Sequence, residues 1–256
     1  VDAVAAEKGS LVTTLASDGV AVLPADSPFF AEWRERAQPR QIVTFGRAPA
    51  AMVRLCHEVA DAEGIRCEVV SDRQEATVRL PWVGRHFAEL ACAALAVLDA
   101  LQLPWEPAVA AWQALPPVAG RLRRLQTPTG TVVLDDTYNA NPDAMRAAID
   151  ALMTLPQPRK VVVMGEMAEL GAHGSELHEE VGRYAKAAGV THFLTLGPNA
   201  EAAASGFGDG AMAFSALPRL LDALLPLLDA QTAVLVKGSR SSRMERVVTA
   251  IAPSAE

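Results

Sequence analysis

From Arg121 onward, short apolar strands alternate with longer helices, and this alternation constrains the fold more than any other feature of the 256-residue chain. The apolar runs predict strands at 131–135, 160–164, 192–196 and 232–236. Amphipathic segments predict helices at 142–153, 175–188, 216–229 and 240–251. Because consecutive parallel strands need crossover helices, this region is predicted to form a Rossmann-like α/β domain with a mostly parallel sheet.

The first part of the chain predicts a less regular α/β domain. Its patterns indicate a strand at Val20–Leu23, a pair of strands at Cys67–Val70 and Ala76–Leu80, and a long helix at His86–Leu101. The stretch from 50 to 65 is ambiguous. Pro116 and Pro117 mark a boundary, so we predict domains at 1–118 and 119–256. Val1–Gly9 resembles a helix interior without a cap, which favours a fragment of a longer protein.

Composition excludes several classes of function. Half of the residues are hydrophobic, which is enough for a sizeable core, and the net charge of −7 argues against a general nucleic-acid or anionic-membrane surface. No apolar run reaches membrane-spanning length, and no signal peptide is visible. The three cysteines share no metal-ligand spacing and indicate a reducing compartment. We therefore expect a cytoplasmic protein that binds neither nucleic acid nor membrane. A monomer is also expected, although composition does not determine the oligomeric state.

The turn between the first strand and helix of the second domain carries the densest group of polar side chains. Two carboxylates, Asp135 and Asp136, are followed by Tyr138 and Asn139. Asn141 is a good N-cap for the helix that follows. A capped turn alone would explain Asn141 but not the carboxylates and the tyrosine. Because open α/β sheets bind ligands at the carboxyl ends of their strands, we predict a ligand site here.

Two further strand-end turns are candidates for binding. The glycines of Gly165–Gly171 permit close backbone approach to a ligand, but they lack the G-x-G-x-x-G spacing, and an ordinary connection explains them equally well. Lys237–Arg243 brings two arginines, a lysine and three serines to a predicted helix start. This combination indicates an anion site, with a solvated basic turn as the alternative. Arg121, at the domain boundary, is either a phosphate ligand or a surface residue.

Other ionisable residues give weaker signals. His173 and His178 do not share a helix face, so a polar helix surface is favoured over a zinc site. Lys8 is a lone lysine in an apolar helical segment and by itself indicates a surface residue.

The three strand-end turns, in this order and at these intervals, resemble the C-terminal domain of the Mur ligase family. Their sequences are D-D-T-Y-N-A-N-P at 135–142, V-M-G-E-M-A-E-L-G at 163–171 and V-K-G-S-R-S at 236–241. The N-terminal part is similar to the later part of the family's central domain, through Val22–Pro28 and Pro81–His86. The resemblance covers essentially the whole chain. Within the family, it is to the members that join D-Ala-D-Ala to UDP-N-acetylmuramoyl-tripeptide.

This resemblance implies an ATP- and magnesium-dependent ligase of peptidoglycan synthesis, with a partial central ATPase-type domain before the Rossmann-like domain. In the family's reaction a carboxylate is phosphorylated, and the amine of the dipeptide attacks the acyl phosphate. A tetrahedral intermediate then loses phosphate. The reaction demands charge neutralisation at phosphate, positioning and the exclusion of water.

The family motifs also imply residue roles. The catalytic candidates are Lys8, Tyr138 and Asn139. The cofactor-binding candidates are Arg121 for the phosphates, Asp136 for the ribose, Asn141 and His86. The candidates for the dipeptide carboxylate are Lys237, Ser239 and Arg240. Lys8 aligns with a lysine that the family carbamylates, and only in that form would it be a magnesium-side ligand, since an ammonium repels the metal.

The sequence departs from the family mainly in its N-terminal part. It lacks the G-x-x-G-K-S/T phosphate loop and the domain that binds the UDP-sugar. Pro24 and Ser27 stand where the family usually has asparagine and aspartate. Phe87 and Leu90 replace two asparagines near the adenine. We therefore expect this chain alone to bind ATP poorly and to have no ligase activity.

Three interpretations remain open. The leading hypothesis is a C-terminal fragment of such a ligase. The alternative is a non-catalytic relative that keeps the fold as a binding module, motivated by Pro24, Phe87 and Leu90. A Rossmann-type oxidoreductase is disfavoured because no G-x-G-x-x-G follows any strand.

Overall fold

A computed structural model describes residues 2–252 and divides them into two compact units. The N-terminal unit runs to Leu115, and the C-terminal unit begins at Pro116 and also includes the short segments Asp61–Glu63 and Trp82–Gly84. Val1, where the predicted uncapped helix starts, lies outside the described residues, as do residues 253–256.

The N-terminal unit is built on a five-stranded sheet of order β1-β2-β3-β4-β5. Its elements are α1 (Asp2–Thr13), β1 (Val20–Pro24), α2 (Phe30–Ala37), β2 (Gln41–Gly46), β3 (Val53–Asp61), β4 (Gly64–Val70), β5 (Glu75–Leu80), α3 (His86–Ala100) and α4 (Glu106–Trp112). Strands β1, β2 and β3 pair in parallel, whereas β4 and β5 form the antiparallel pair that the sequence predicts.

The ambiguous stretch from 50 to 65 contains all of β3 and the start of β4. Only the first half of β3 is buried, through Val53 and Leu55, while its second half alternates between exposed and half-buried residues. A strand that is buried along only half its length gives no clean apolar period, which is why the sequence pattern does not resolve it.

The C-terminal unit confirms the predicted α/β class. Its elements are β6 (Arg123–Gln126), β7 (Val132–Asp136), α5 (Pro142–Met153), β8 (Arg159–Met164), α6 (Gly174–Ala188), β9 (His192–Leu196), α7 (Ala200–Phe207), β10 (Ala211–Phe214), α8 (Leu217–Leu224), β11 (Thr232–Lys237) and α9 (Glu245–Ile251). The strand order is β10-β9-β8-β11-β7-β6, and every neighbouring pair is parallel except β6 with β7.

Several boundaries differ from the prediction. The sequence pattern missed β6, α7 and β10, which are short and only partly buried. The helix predicted at 216–229 ends at Leu224, and a 3₁₀ turn containing Pro226 follows it. The helix predicted at 240–251 begins only at Glu245, because Arg243 adopts a left-handed conformation with φ of 52° that interrupts helical geometry.

The start of α5 agrees with its sequence. The side chain of Asn141 accepts a hydrogen bond from the Ala144 N–H at 2.8 Å, and Pro142 occupies the first helical turn. The predicted inward stripe of α5 is buried, namely Met145, Ala148, Ile149 and Leu152. This packing fixes the helix against the sheet and so holds the preceding turn at the carboxyl end of β7.

Candidate functional site

The three motif turns of the C-terminal unit lie at one edge of its sheet. Strand β11 pairs in parallel with both β7 and β8, and Lys237 is in register with Asp136 on one side and Met164 on the other. The turns after β8 and β11 also touch through their backbones. Gly165 N–H donates to Lys237 O at 2.7 Å, and a Cβ on Gly238 would lie 3.0 Å from Gly165 Cα. Glycine is therefore needed at Gly238 for this close approach.

Asp136 and Lys237 form a buried ion pair between two of these turns. Lys237 Nζ lies 2.6 Å from Asp136 Oδ2, and the two side chains are only 4% and 12% exposed. The ammonium also donates to Asn139 O at 2.7 Å, while Asp136 Oδ1 accepts from Leu122 N–H at 3.2 Å. Both predicted ligand-binding residues are thus engaged inside the protein, and the charge of Lys237 is already neutralised.

Asp135 holds the segment around Gly120 to the end of β7. Its Oδ2 accepts hydrogen bonds from Gly120 N–H and Arg123 Nη2, each at 3.1 Å, and its Oδ1 accepts from Thr137 Oγ1 at 2.7 Å. Gly120 has a φ of +73°, and a Cβ there would lie 3.1 Å from Tyr138 N. The sequence drew attention to Asp135 but did not give it this role.

Arg121 and Tyr138 form an exposed pair beside this carboxylate. The Arg121 guanidinium carbon lies 3.9 Å from the centre of the Tyr138 ring, a cation–π contact. Tyr138 is 50% exposed, and its N–H donates to Gly120 O at 3.1 Å. The neighbouring Asn139 is also exposed, and its Oδ1 accepts from Ala140 N–H at 2.9 Å. An exposed guanidinium held over a ring is suited to bind phosphate or carboxylate.

Arg240 is the exposed cation of the third turn. Its side chain forms no hydrogen bond or ion pair with other residues in the range 2–252. Ser239, by contrast, is buried; its hydroxyl accepts from Ala168 N–H at 2.8 Å and donates to Ala140 O at 3.4 Å. Of the three residues predicted to bind a substrate carboxylate, only Arg240 is available to a ligand.

A cavity of about 160 Å³ adjoins Arg240. Its wall is formed by Ala119, Gly120, Arg123, Asp135, Thr137, Tyr138, Arg240, Glu245, Val248 and Thr249. Sequence reasoning missed Arg123 and Glu245. Arg123 lies on the edge strand β6, which the apolar pattern did not reveal, and no motif marked Glu245.

The turn after β8 is held by an internal hydrogen-bond network. Buried His178 bonds Gly174 O through Nδ1 at 2.6 Å and Met167 N–H through Nε2 at 2.9 Å, so Nδ1 carries the proton. Glu166 Oε1 accepts from Asn199 Nδ2 at 2.6 Å. These contacts give His178 and Glu166 structural roles in shaping the turn.

The N-terminal candidates are placed differently. Lys8 is 66% exposed, and its only ion-pair partner among the described residues is Glu7, at 2.8 Å. His86 is exposed, and its ring lies 4.3 Å from that of Phe87. Within residues 2–252, no group of three histidine, cysteine, aspartate or glutamate side chains is positioned to hold a metal ion. A carbamylated lysine is not one of these four residue types, so the magnesium-side role of Lys8 stays a prediction.

In the N-terminal unit, the carboxylate of Glu58 is bound by two arginines. Arg47 Nη2 and Arg85 Nε donate to it at 2.7 and 2.8 Å. Burial alone would raise the pKa of Glu58, but the hydrogen bonds from Arg85 and Arg47 outweigh burial and hold the pKa below its usual value.

The two buried thiols of this unit are chemically quiet. Burial raises the pKa of Cys67 to about 12 and that of Cys92 to about 11. Because the thiolate is the reactive form, neither side chain is suited to act as a nucleophile near neutral pH.

Among the helices of residues 2–252, none has the length and apolar character needed to cross a bilayer.

Comparison with known proteins gives consistent matches along the chain. Residues 1–98 match the Mur ligase middle domain, and residues 120–240 match the Mur ligase glutamate ligase domain. The UDP-N-acetylmuramoyl-tripeptide–D-alanyl-D-alanine ligase of Escherichia coli is 34% identical over 97% of this chain and 55% of its own length. The ligase of the same name from Synechocystis is 31% identical over 96% of this chain and 53% of its own length.

Solved structures give the same result. MurF from Acinetobacter baumannii matches with a TM-score of 0.89 and 30% identity, over 97% of this chain and 55% of the other. MurF from Thermotoga maritima, solved in complex with ADP, matches with a TM-score of 0.80 and 26% identity, over 94% of this chain and 55% of the other. The chain spans about half the length of the curated relatives that it matches.

Proposed function

This chain belongs to the Mur ligase family, and we propose that it supplies the C-terminal domain and part of the middle domain of a cytoplasmic ligase that joins D-Ala-D-Ala to UDP-N-acetylmuramoyl-tripeptide. The proposed domains are 1–118 and 119–256. The observation that carries the proposal is the convergence of three motif turns at one sheet edge, where Lys237 pairs with Asp136.

ATP, when bound, would supply the phosphoryl group that activates the substrate carboxylate. We assign phosphate binding to Arg121, whose exposed guanidinium can neutralise anionic charge while the Tyr138 ring holds it. Asp136 keeps spare acceptor capacity for ribose hydroxyls, because an ionised carboxylate offers about four acceptor sites. Asn139 and Asn141 line the same turn. These residues fit one side of a nucleotide; no described cluster fits magnesium, so we assign the metal no step.

The carboxylate of the incoming dipeptide is assigned to Arg240. Among Lys237, Ser239 and Arg240, only Arg240 has a side chain without a partner among residues 2–252, and it borders the cavity of about 160 Å³. A guanidinium binds a carboxylate with two parallel hydrogen bonds, which orients as well as attracts it. Lys237 and Ser239 then act indirectly, by fixing the turn that carries Arg240.

A second function, a non-catalytic binding module, is favoured by the N-terminal unit. Within the described part of the chain, Lys8 pairs only with the exposed Glu7. Pro24, Phe87 and Leu90 replace polar residues that the family resemblance places near the nucleotide. In this alternative the chain would keep dipeptide binding without supporting ATP-dependent chemistry in any context.

The test begins with the chain as it stands. We expect the chain to release no phosphate when it is mixed with ATP, magnesium, UDP-N-acetylmuramoyl-tripeptide and D-Ala-D-Ala. In contrast, NMR titration with D-Ala-D-Ala should shift the side-chain signals of Arg240, and Arg240→Ala should weaken binding about tenfold or more, the loss typical of a charged hydrogen bond. Arg219→Ala, an exposed arginine on α8, is the matched control. Dipeptide binding that Arg240→Ala leaves unchanged would contradict the assignment.

A further inference from the structure

We infer that Arg123 and Glu245 recognise the peptide group of the incoming dipeptide, in the cavity beside Arg240. This inference rests on the proposed function and extends it from the terminal carboxylate to the amide bond. It would make the cavity selective for a dipeptide over a single amino acid.

The first observation is a pair of buried polar atoms without partners. Arg123 Nε and Glu245 Oε2 are both shielded from solvent, and neither forms a hydrogen bond with any described residue. Arg123 is nevertheless held in place, because its Nη2 donates to Asp135 Oδ2 at 3.1 Å. Nearly all buried polar atoms in native proteins are paired, so two unpaired atoms on residues that line one cavity point to partners that a ligand would supply.

The two orphans are chemically complementary to a peptide group. Arg123 Nε–H is a donor only, and ionised Glu245 is an acceptor only. No ion pair joins Glu245 to Arg123 or to Arg240 within residues 2–252, so the two charges do not satisfy each other directly. A peptide group carries an acceptor C=O and a donor N–H on opposite sides. It can bridge these side chains, whereas a lone carboxylate would leave Glu245 unpaired.

The size and the remaining walls of the cavity agree with this occupant. At about 160 Å³, the cavity is smaller than the 300–1,000 Å³ typical of sites for drug-sized ligands. Arg240 can take the terminal carboxylate, and Val248 offers an apolar surface to a methyl group. A D-alanyl-D-alanine molecule has one terminal carboxylate, one peptide group and two methyl groups, one of which can lie against Val248. A single alanine has no amide to place between Arg123 and Glu245.

NMR of the 256-residue chain tests the inference directly, because the arginine Nε–H group has its own resonance. We expect the Arg123 Nε–H signal to shift on titration with D-Ala-D-Ala and to stay in place with D-alanine. Arg123→Lys keeps the positive charge beside Asp135 but removes Nε–H, and it should weaken dipeptide binding about tenfold. Glu245→Gln should weaken it several-fold. Arg246→Lys makes the same substitution on α9, beside Glu245 but outside the cavity, and should leave dipeptide binding unchanged.

The outcomes separate this inference from the proposed function. If the signals of Arg240 shift while those of Arg123 do not, the dipeptide binds but its peptide group is read elsewhere, and the inference falls alone. An equal shift of the Arg123 Nε–H signal with D-alanine would also overturn the inference, since a ligand without a peptide group would then pair with this atom. If neither arginine responds to millimolar dipeptide, both claims fail. Circular dichroism of Arg123→Lys and Glu245→Gln establishes that each variant is folded.

Discussion

The C-terminal unit buries its paired motif residues Asp136 and Lys237, whereas the N-terminal unit leaves Lys8 and His86 exposed. Asp136 and Lys237 meet in a buried pair, and Asp135 ties three neighbouring groups together. Lys8 and His86, which the family resemblance also singles out, lie exposed on the other unit. A sequence motif alone therefore does not show that its residues come together in a binding site. In the C-terminal unit the candidates Asp136 and Lys237 also hold the fold, whereas Lys8 forms an exposed ion pair with its neighbour Glu7.

The largest expected contrast between the units is in stability. Lys237→Met leaves the Asp136 carboxylate buried without its partner and should lower the free energy of unfolding by about 3–5 kcal/mol. Lys8→Met removes only an exposed pair with Glu7 and should change it by less than about 0.5 kcal/mol. Urea unfolding followed by circular dichroism measures both.

A double variant controls for lost packing. Asp136→Leu combined with Lys237→Met removes both charges and should recover much of the stability, since a buried pair is often replaceable by apolar residues. Equal destabilisation by Lys237→Met and Lys8→Met would show that the two units hold their motif lysines in the same way.

A smaller effect is expected at the turn that carries Arg121. Gly120→Ala must adopt a left-handed conformation and also crowds the Tyr138 backbone, so it should lower stability by about 2 kcal/mol. Gly171→Ala has a similar positive φ with nothing within 4 Å, and should lower stability by only about 1 kcal/mol. If thermal or urea unfolding gives the same loss for both variants, the close approach to Tyr138 has no energetic weight.

The N-terminal unit also contains a buried carboxylate, Glu58, and its contribution to stability should depend on pH. At neutral pH, Glu58→Gln should lower stability by about 1–2 kcal/mol, a modest value because Arg47 and Arg85 are well exposed. The pKa of Glu58 is lowered in the folded chain, so its contribution is present above its ordinary pKa of about 4.3 and is lost as pH falls through the lowered value.

Unfolding measured from neutral to acidic pH checks this dependence. The difference between wild type and Glu58→Gln should vanish in acid. Glu89→Gln, which removes a more exposed partner of Arg47, is the control and should change stability less at every pH. A difference between wild type and Glu58→Gln that persists unchanged in acid would mean that the pair with the arginines is not its source.

The smallest expected effect concerns the exposed pair of Arg121 and Tyr138. Tyr138→Leu removes the ring beneath the guanidinium and should lower stability by about 0.5–1 kcal/mol, whereas Tyr138→Phe keeps the contact. A phenylalanine variant that is as unstable as the leucine variant would assign the effect to the hydroxyl group.

Local features of the C-terminal unit could be predicted from sequence because each depends on neighbouring residues. The cap at Asn141, the buried stripe of α5 and the strand-end position of Asp135 follow from helix period, capping chemistry and strand pattern. Three turns at one sheet edge follow from parallel strands joined by helices.

The long-range contacts could not be predicted in this way. Lys237 and Asp136 are 101 residues apart, and their pairing depends on which strands are neighbours in the sheet and on their register. The same limit hid Glu245, which reaches the cavity only because α9 packs beside β7. Edge strand β6 escaped notice because its sequence, R-R-L-Q, is charged and half-exposed.

Two chimeras of the Escherichia coli ligase test the contrast between the units most directly. In one, the segment matching residues 120–240 is exchanged for that of this chain; in the other, the segment matching residues 1–98 is exchanged. The measurement is phosphate release that depends on D-Ala-D-Ala. We predict activity in the first chimera, with loss on Arg240→Ala. We predict no activity in the second until Pro24, Phe87 and Leu90 are changed to asparagine. An inactive first chimera beside an active second one would contradict the account.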